Sequence, residues 1–176
     1  DEPGHEWSGY VDLKAAWKMV PFNNFISNDS DMYGRPIDPE ELAKGKVRLT
    51  DRGKSNIKGI QGQLWSETVR SEQQAEYMIF PRILALAERA WSKPQWQVPY
   101  NFNGALYNID SGVFTAQLKQ QRDKAWQAFA NTLAQKELLK LDKLGVFYRL
   151  PTLGAKIING QLLLNSSLPG LAMEYQ

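Results

Sequence analysis

The 176-residue sequence predicts an α/β chain. Three observations carry that reading. A strand-like run over residues 57–67 passes almost at once into a helical run. A second, longer helical run follows it. From Val146 the pattern changes to short apolar segments of strand length.

Residues 1–10 read as loop, opening on Asp1, Glu2, Pro3 and Gly4. Over 12–20, Leu13, Ala16, Trp17 and Val20 stand at helical spacing, and Pro21 closes the helix. Residues 22–56 are polar and broken by Gly34, Pro36, Pro39, Gly45 and Gly53. A long surface excursion is expected there, with one helical turn around 39–44. Connections of that length in compact domains are usually functional or mobile.

The best strand is 57–67. Side chains alternate along a strand, so Ile60, Gly62 and Leu64 share one face while Gln61, Gln63, Trp65 and Glu67 share the other. In a barrel of strands wrapped by helices, one set meets the helices and the other points inward. The polar set is the inward one on this reading, which aims Trp65 and Glu67 at the same space.

Ser71 then caps a helix, with Gln74 three residues on as its capping-box partner. Two apolar rows follow, Ile79, Ile83, Leu86, Ala90 and Phe80, Leu84, Ala87, Trp91, so a wide face is expected to be buried. Pro81 removes a hydrogen bond inside this helix and should bend it. Residues 92–112 are loop. A long helix is expected over 112–144, with Phe114, Leu118, Ala125, Phe129 and Leu133 as its apolar seam and Gly145 as its stop. The charges between Lys119 and Lys143 read as a solvated face. Strands are expected at 146–150, 155–158, 161–164 and 172–175. Asn159-Gly160 signals a type I′ hairpin between the middle pair. Some thirty residues fall short of the roughly 100 that a β-sandwich needs, so the chain reads as one that begins and ends inside a larger protein.

Composition narrows the function classes. With 21 Lys and Arg against 19 Asp and Glu, interleaved, the sequence carries no nucleic-acid footprint. No apolar run approaches a membrane span. The absence of cysteine excludes a disulfide scaffold, a thiol nucleophile and a Cys-ligated metal from these residues. His5 is the single histidine, and no second ligand stands at metal spacing, so neither metal nor cofactor is expected. Ser66 lacks the Gly-x-Ser-x-Gly setting of an activated serine. Asp1 and Glu2 read as a solvated turn, with nothing beside them to raise a carboxyl pKa for acid catalysis. Arg82, Glu88 and Arg89 suit structural contacts and ion pairs.

Trp65 and Glu67 form the sharpest candidate pair. An indole offers a flat apolar face to a pyranose, and a neighbouring carboxylate accepts hydrogen bonds from hydroxyls. The competing reading makes Trp65 a core residue and Glu67 a carboxylate favoured by a helix N-terminus. Trp7, beside Gly9 and Tyr10, either lines a cleft or anchors its loop.

The run Gly59-Ile60-Gln61-Gly62-Gln63-Leu64-Trp65-Ser66-Glu67, with Glu76-Tyr77-Met78-Ile79-Phe80-Pro81-Arg82 and Ala87-Glu88-Arg89-Ala90-Trp91, resembles the last β/α unit of bacterial β-N-acetylhexosaminidases of the chitobiase type, glycoside hydrolase family 20. Residues 1–20 resemble the segment after the seventh barrel strand, although Gly4-His5-Glu6-Trp7 stands where the family has a Gly-Tyr-Tyr-Trp-like loop. Val146-Phe147-Tyr148-Arg149-Leu150-Pro151-Thr152-Leu153-Gly154-Ala155 resembles the start of the small domain that follows the barrel.

The resemblance implies a fold: the C-terminal part of a (β/α)8 TIM barrel over 1–111, a long connecting helix packed on it over 112–145, and the start of an immunoglobulin-like β domain over 146–176. It implies an activity too, retaining and substrate-assisted hydrolysis of terminal non-reducing N-acetylhexosamines from chitooligosaccharides or similar glycans. Trp65 would floor the sugar pocket, Glu67 would hold the hydroxyls at C4 and C6, and Trp7 would stack the next sugar. The family's catalytic Asp-Glu pair sits in a His-x-Gly-Asp-Glu-like motif on an earlier strand, and no such motif occurs here. No catalytic residue is therefore expected within these residues. The implied partners are the oligosaccharide and the remaining barrel segments, and the implied location is periplasmic, outer-membrane-associated or secreted in a bacterium.

Two other readings stand beside this one: a carbohydrate-binding protein without catalysis, and a purely structural helical domain. Because general-acid catalysis supplies on the order of 10²–10⁴-fold, the isolated chain is expected to be inactive. Turnover of a chromogenic N-acetylglucosaminide by residues 1–176 alone would overturn that.

Overall fold

The computed structural model describes residues 11–23, 27, 35, 49–97 and 115–174. Trp7, His5, Asp1, Glu2, Phe114 and the helical turn expected at 39–44 lie outside the described residues.

The first helix, α1 (Leu13–Trp17), begins where the sequence placed it. Asp12 accepts hydrogen bonds from the Lys14 and Ala15 amides at 2.8 and 3.2 Å, satisfying donors that a helix start leaves open. The helix ends at Trp17, short of the proline, and the Val20 amide instead donates to the buried Ser27 hydroxyl at 2.8 Å. A helix unforeseen in the polar stretch, α2 (Asp51–Asn56), is capped by Thr50, whose hydroxyl accepts from the Gly53 amide at 3.0 Å.

Residues 57–66 run on without a β-ladder, and 61–68 are exposed. The expected strand is thus not formed. Strands exist by bonding to neighbours, and among the described residues no other strand lies beside this one.

The helix expected to continue through Pro81 with a bend is two helices, α3 (Glu72–Ile79) and α4 (Arg82–Trp91). Phe80 is extended at ψ 143°, and the Phe80–Pro81 peptide is cis. The buried face of α4 is Pro81, Ala85 and Arg89, whereas Ile83 is 44% and Trp91 92% exposed. The two apolar rows overstate what this stretch buries.

The long helix is present as α5 (Ala116–Thr132), a π-helical turn (Leu133–Glu137) and α6 (Leu138–Leu144). Thr115 caps it and Gly145 stops it in the left-handed conformation, φ 70°. Its seam is Trp126, Ala130, Leu133, Ala134, Leu138 and Leu141, and the expected Leu118, Ala125 and Phe129 are only partly buried. The steps of four from Trp126 to Leu138 would drift round an ordinary α-helix. The wider π turn takes up the drift and keeps Leu138 on the buried side. Most charges of 119–143 are solvated, as expected.

Trp17 is the centre of the core at 1% exposure. Its ring centroid lies 5.1 Å from Trp96, 5.4 Å from Trp126 and 6.1 Å from Phe129. The Arg89 guanidinium sits 5.0 Å over Trp17 and 5.5 Å over Trp96, with Glu88 Oε1 at 3.3 Å. Burial pushes the Arg89 pKa down and Glu88 opposes it.

At the C-terminal end, β1 (Gly154–Ile158) pairs antiparallel with β2 (Gln161–Asn165), Ile157 facing Leu162. Asn159 (φ 51°) and Gly160 (φ 76°) make the turn, as two positive φ angles in a type I′ hairpin require. No strand forms at 146–150 or in the described part of 172–175. The backbone of 146–150 bonds elsewhere: the Phe147 amide donates to Glu76 Oε2 at 2.8 Å and the Arg149 amide to the Phe80 carbonyl at 3.0 Å. Leu168, 1% exposed, joins the core, and Gln135 Nε2 donates to the Gly170 carbonyl at 3.0 Å.

Candidate functional site

The site is the exposed end of the 57–67 segment and the turn that leads into α3. Trp65 is 54% exposed, which sets aside a fully buried core role. Glu67 is exposed in the turn closed by the Val69 amide donating to the Ser66 carbonyl at 3.1 Å. Trp7 lies outside the described residues, so the structure brings Trp65 and Glu67 to one exposed stretch and leaves the third candidate aside.

A capping box follows the turn, in a variant form. Ser71 Oγ accepts from the Gln74 amide at 3.2 Å, as expected. Gln74 Oε1 reaches back to the Arg70 amide at 2.6 Å, one residue before the cap. The Arg70 guanidinium folds over the turn, Nη1 donating to the Glu67 carbonyl at 2.6 Å and the Val69 carbonyl at 3.1 Å. Sequence reading missed Arg70. The capping box was its only signal, and spacing does not tell where a long side chain folds.

Behind the segment is a cavity of about 230 Å³, lined by Val11, Met19, Leu64, Met78, Ile83 and Leu86 among others. Gly62, Gln63 and Leu64 line it together with α3 and α4 side chains, so residues of both expected strand faces meet it. Trp65 and Glu67 do not line it, and its apolar walls suit packing better than a polyhydroxylated ligand. Arg82 spans one side, donating to the Val11 carbonyl at 3.4 Å and to the Met78 carbonyl. It serves as a structural tie, in keeping with the expected role. Among the described residues no group of three or more His, Asp or Glu could hold a metal. Nor is any helix there long and apolar enough to cross a membrane.

Residues 2–94 match the glycosyl hydrolase family 20 catalytic domain. The chain belongs to glycosyl hydrolase family 20. Residues 137–176 match the chitobiase/beta-hexosaminidase C-terminal domain. The family 20 match implies part of a TIM barrel over the first stretch, and the second match a further domain after it.

Among family relatives, the chain is 40% identical over 148 residues to the N,N'-diacetylchitobiase of Vibrio harveyi, covering 78% of this chain and 16% of that protein. It is 37% identical over 182 residues to a beta-hexosaminidase of Vibrio vulnificus, covering 99% of this chain and 20% of that protein. With beta-hexosaminidase B of Pseudoalteromonas piscicida it shares 44% identity over 117 residues, 66% of this chain and 13% of the relative. The chain thus spans a fifth or less of the length of these curated relatives.

Proposed function

We propose that this family 20 chain is the C-terminal part of a β-N-acetylhexosaminidase of the chitobiase type. The whole enzyme removes terminal non-reducing N-acetylhexosamines from chitooligosaccharides or similar glycans. The substrate's own acetamide oxygen attacks the anomeric carbon, an Asp orients that acetamide, and a Glu protonates the leaving oxygen. Water then opens the cyclic intermediate with net retention. Those two carboxyl groups belong to an earlier strand of the barrel.

This chain supplies binding. Trp65 forms the floor under the sugar ring, Glu67 accepts hydrogen bonds from the hydroxyls at C4 and C6, and Trp7 stacks the next sugar. Holding the ring still is itself catalytic, because it presents the anomeric carbon to its attacking group. The observation that carries the reading is the half-exposed indole two residues before an exposed carboxylate, on a turn tied down by hydrogen bonds. Residues 1–111 are assigned to the barrel, 112–145 to the connecting helix and 146–176 to the start of an immunoglobulin-like domain. The two family matches, over 2–94 and 137–176, support a barrel part followed by a further domain. A periplasmic, outer-membrane-associated or secreted location fits a glycan substrate met outside the cytoplasm.

In the full-length protein, Glu67→Ala is expected to raise KM for a chromogenic N-acetylglucosaminide roughly ten- to a hundredfold. Hydrogen bonds to a charged group contribute about 1.5–3 kcal/mol. An unaltered KM would remove Glu67 from the sugar site.

A further inference from the structure

We propose that Arg70 is a positioning residue for the sugar-binding carboxylate of Glu67, an inference that rests on the function proposed above. The geometry is particular. A guanidinium three residues from a carboxylate would ordinarily pair with it. Here Arg70 Nη1 instead donates to two main-chain oxygens, those of Glu67 at 2.6 Å and Val69 at 3.1 Å. No ion pair engages the Glu67 carboxylate among the described residues, so its oxygens remain available to hydroxyl donors while its backbone is held.

Arg70 is itself fixed at the other end. Its amide donates to Gln74 Oε1 at 2.6 Å, and the Gln74 amide donates to Ser71 Oγ at 3.2 Å. The Val69 amide closes the turn on the Ser66 carbonyl at 3.1 Å. Residues 66–74 therefore make a continuous set of hydrogen bonds that runs from the Glu67 carbonyl into the first turn of α3. An exposed turn between an extended segment and a helix would otherwise sample several conformations, and each one costs binding when the sugar selects among them. With the turn fixed, that ordering cost is met before the substrate arrives.

The test is a double-mutant cycle in the full-length protein, read as KM and kcat on a chromogenic N-acetylglucosaminide and on the matching N-acetylxylosaminide, which lacks the C6 hydroxymethyl group. Arg70→Ala is expected to raise KM about three- to tenfold, part of what hydrogen bonds from a charged donor contribute, with kcat nearly unchanged. In the Glu67→Ala background its effect should shrink toward nothing, because it acts through Glu67, and on the N-acetylxylosaminide, which keeps the C4 hydroxyl, it should shrink in part. Arg70→Lys, which keeps a donor to carbonyls, should restore part of the loss. If Arg70→Ala folds poorly, Gln74→Ala carries the same expectation through the other end of the set. Equal effects of Arg70→Ala with and without Glu67, or on both substrates, would overturn the positioning role and leave the proposed function standing. If Glu67→Ala itself leaves KM unchanged, Glu67 is removed from the sugar site, and this inference fails with it.

Discussion

Trp65→Ala in the full-length protein should weaken binding of a non-hydrolysable N-acetylglucosamine thioglycoside by about two orders of magnitude while hardly altering stability. A tryptophan presents some 150–250 Å² to its surroundings, and about half of Trp65 is open. A sugar covering roughly 100 Å² of that face gains about 2.5 kcal/mol at ~25 cal/mol per Å², or close to a hundredfold in Kd. The truncated side chain leaves no sealed cavity, so the cost in unfolding free energy should stay near the ±0.5 kcal/mol of surface substitutions. Calorimetric titration and a urea melt on the same sample separate the two. A large loss of stability with unchanged Kd would return Trp65 to a structural role and leave the family resemblance without a chemical site here.

Trp17→Ala should do the opposite. Trp17 is 1% exposed and packs on Trp96, Trp126 and Phe129. Large-to-small changes at such positions cost about 3–5 kcal/mol. The loss should sit at the upper end, because Arg89 depends on the same ring. Its Nε and Nη1 are buried without hydrogen-bond partners among the described residues, and its charge meets the indole faces of Trp17 and Trp96 as well as Glu88. Removing one face leaves a buried cation poorly compensated. The midpoint of denaturant unfolding gives the result, and a loss below about 1 kcal/mol would show that the aromatic cluster is not the centre of stability.

How much of this was legible in the sequence depended on how local each cause is. Ser71, the Asn159-Gly160 turn and Gly145 announce themselves because each solves a backbone problem within a few residues. Thr50 solves the same kind of problem for α2, yet the polar residues around it gave no apolar stripe to be read. The 57–67 strand was misjudged because alternation describes a side-chain pattern, while a strand is made by neighbours that alternation does not supply. Pro81 was read as a bend, and only the extended backbone at Phe80 separates α3 from α4. The seam of the long helix runs through Trp126 and not Phe129, and no residue in Leu133–Glu137 advertises the π turn that follows. Residue type and spacing singled out Trp65 and Glu67, and both are exposed. Arg70 was not singled out, since its role lies in a side chain doubling back over the turn.

The stretch after Gly145 is stitched to α3, through Glu76 to the Phe147 amide and through the Phe80 carbonyl to the Arg149 amide. That same helix begins at the Glu67 turn. Any swing of the stretch after Gly145 must break those two hydrogen bonds or carry α3, and with it the turn at Glu67, along.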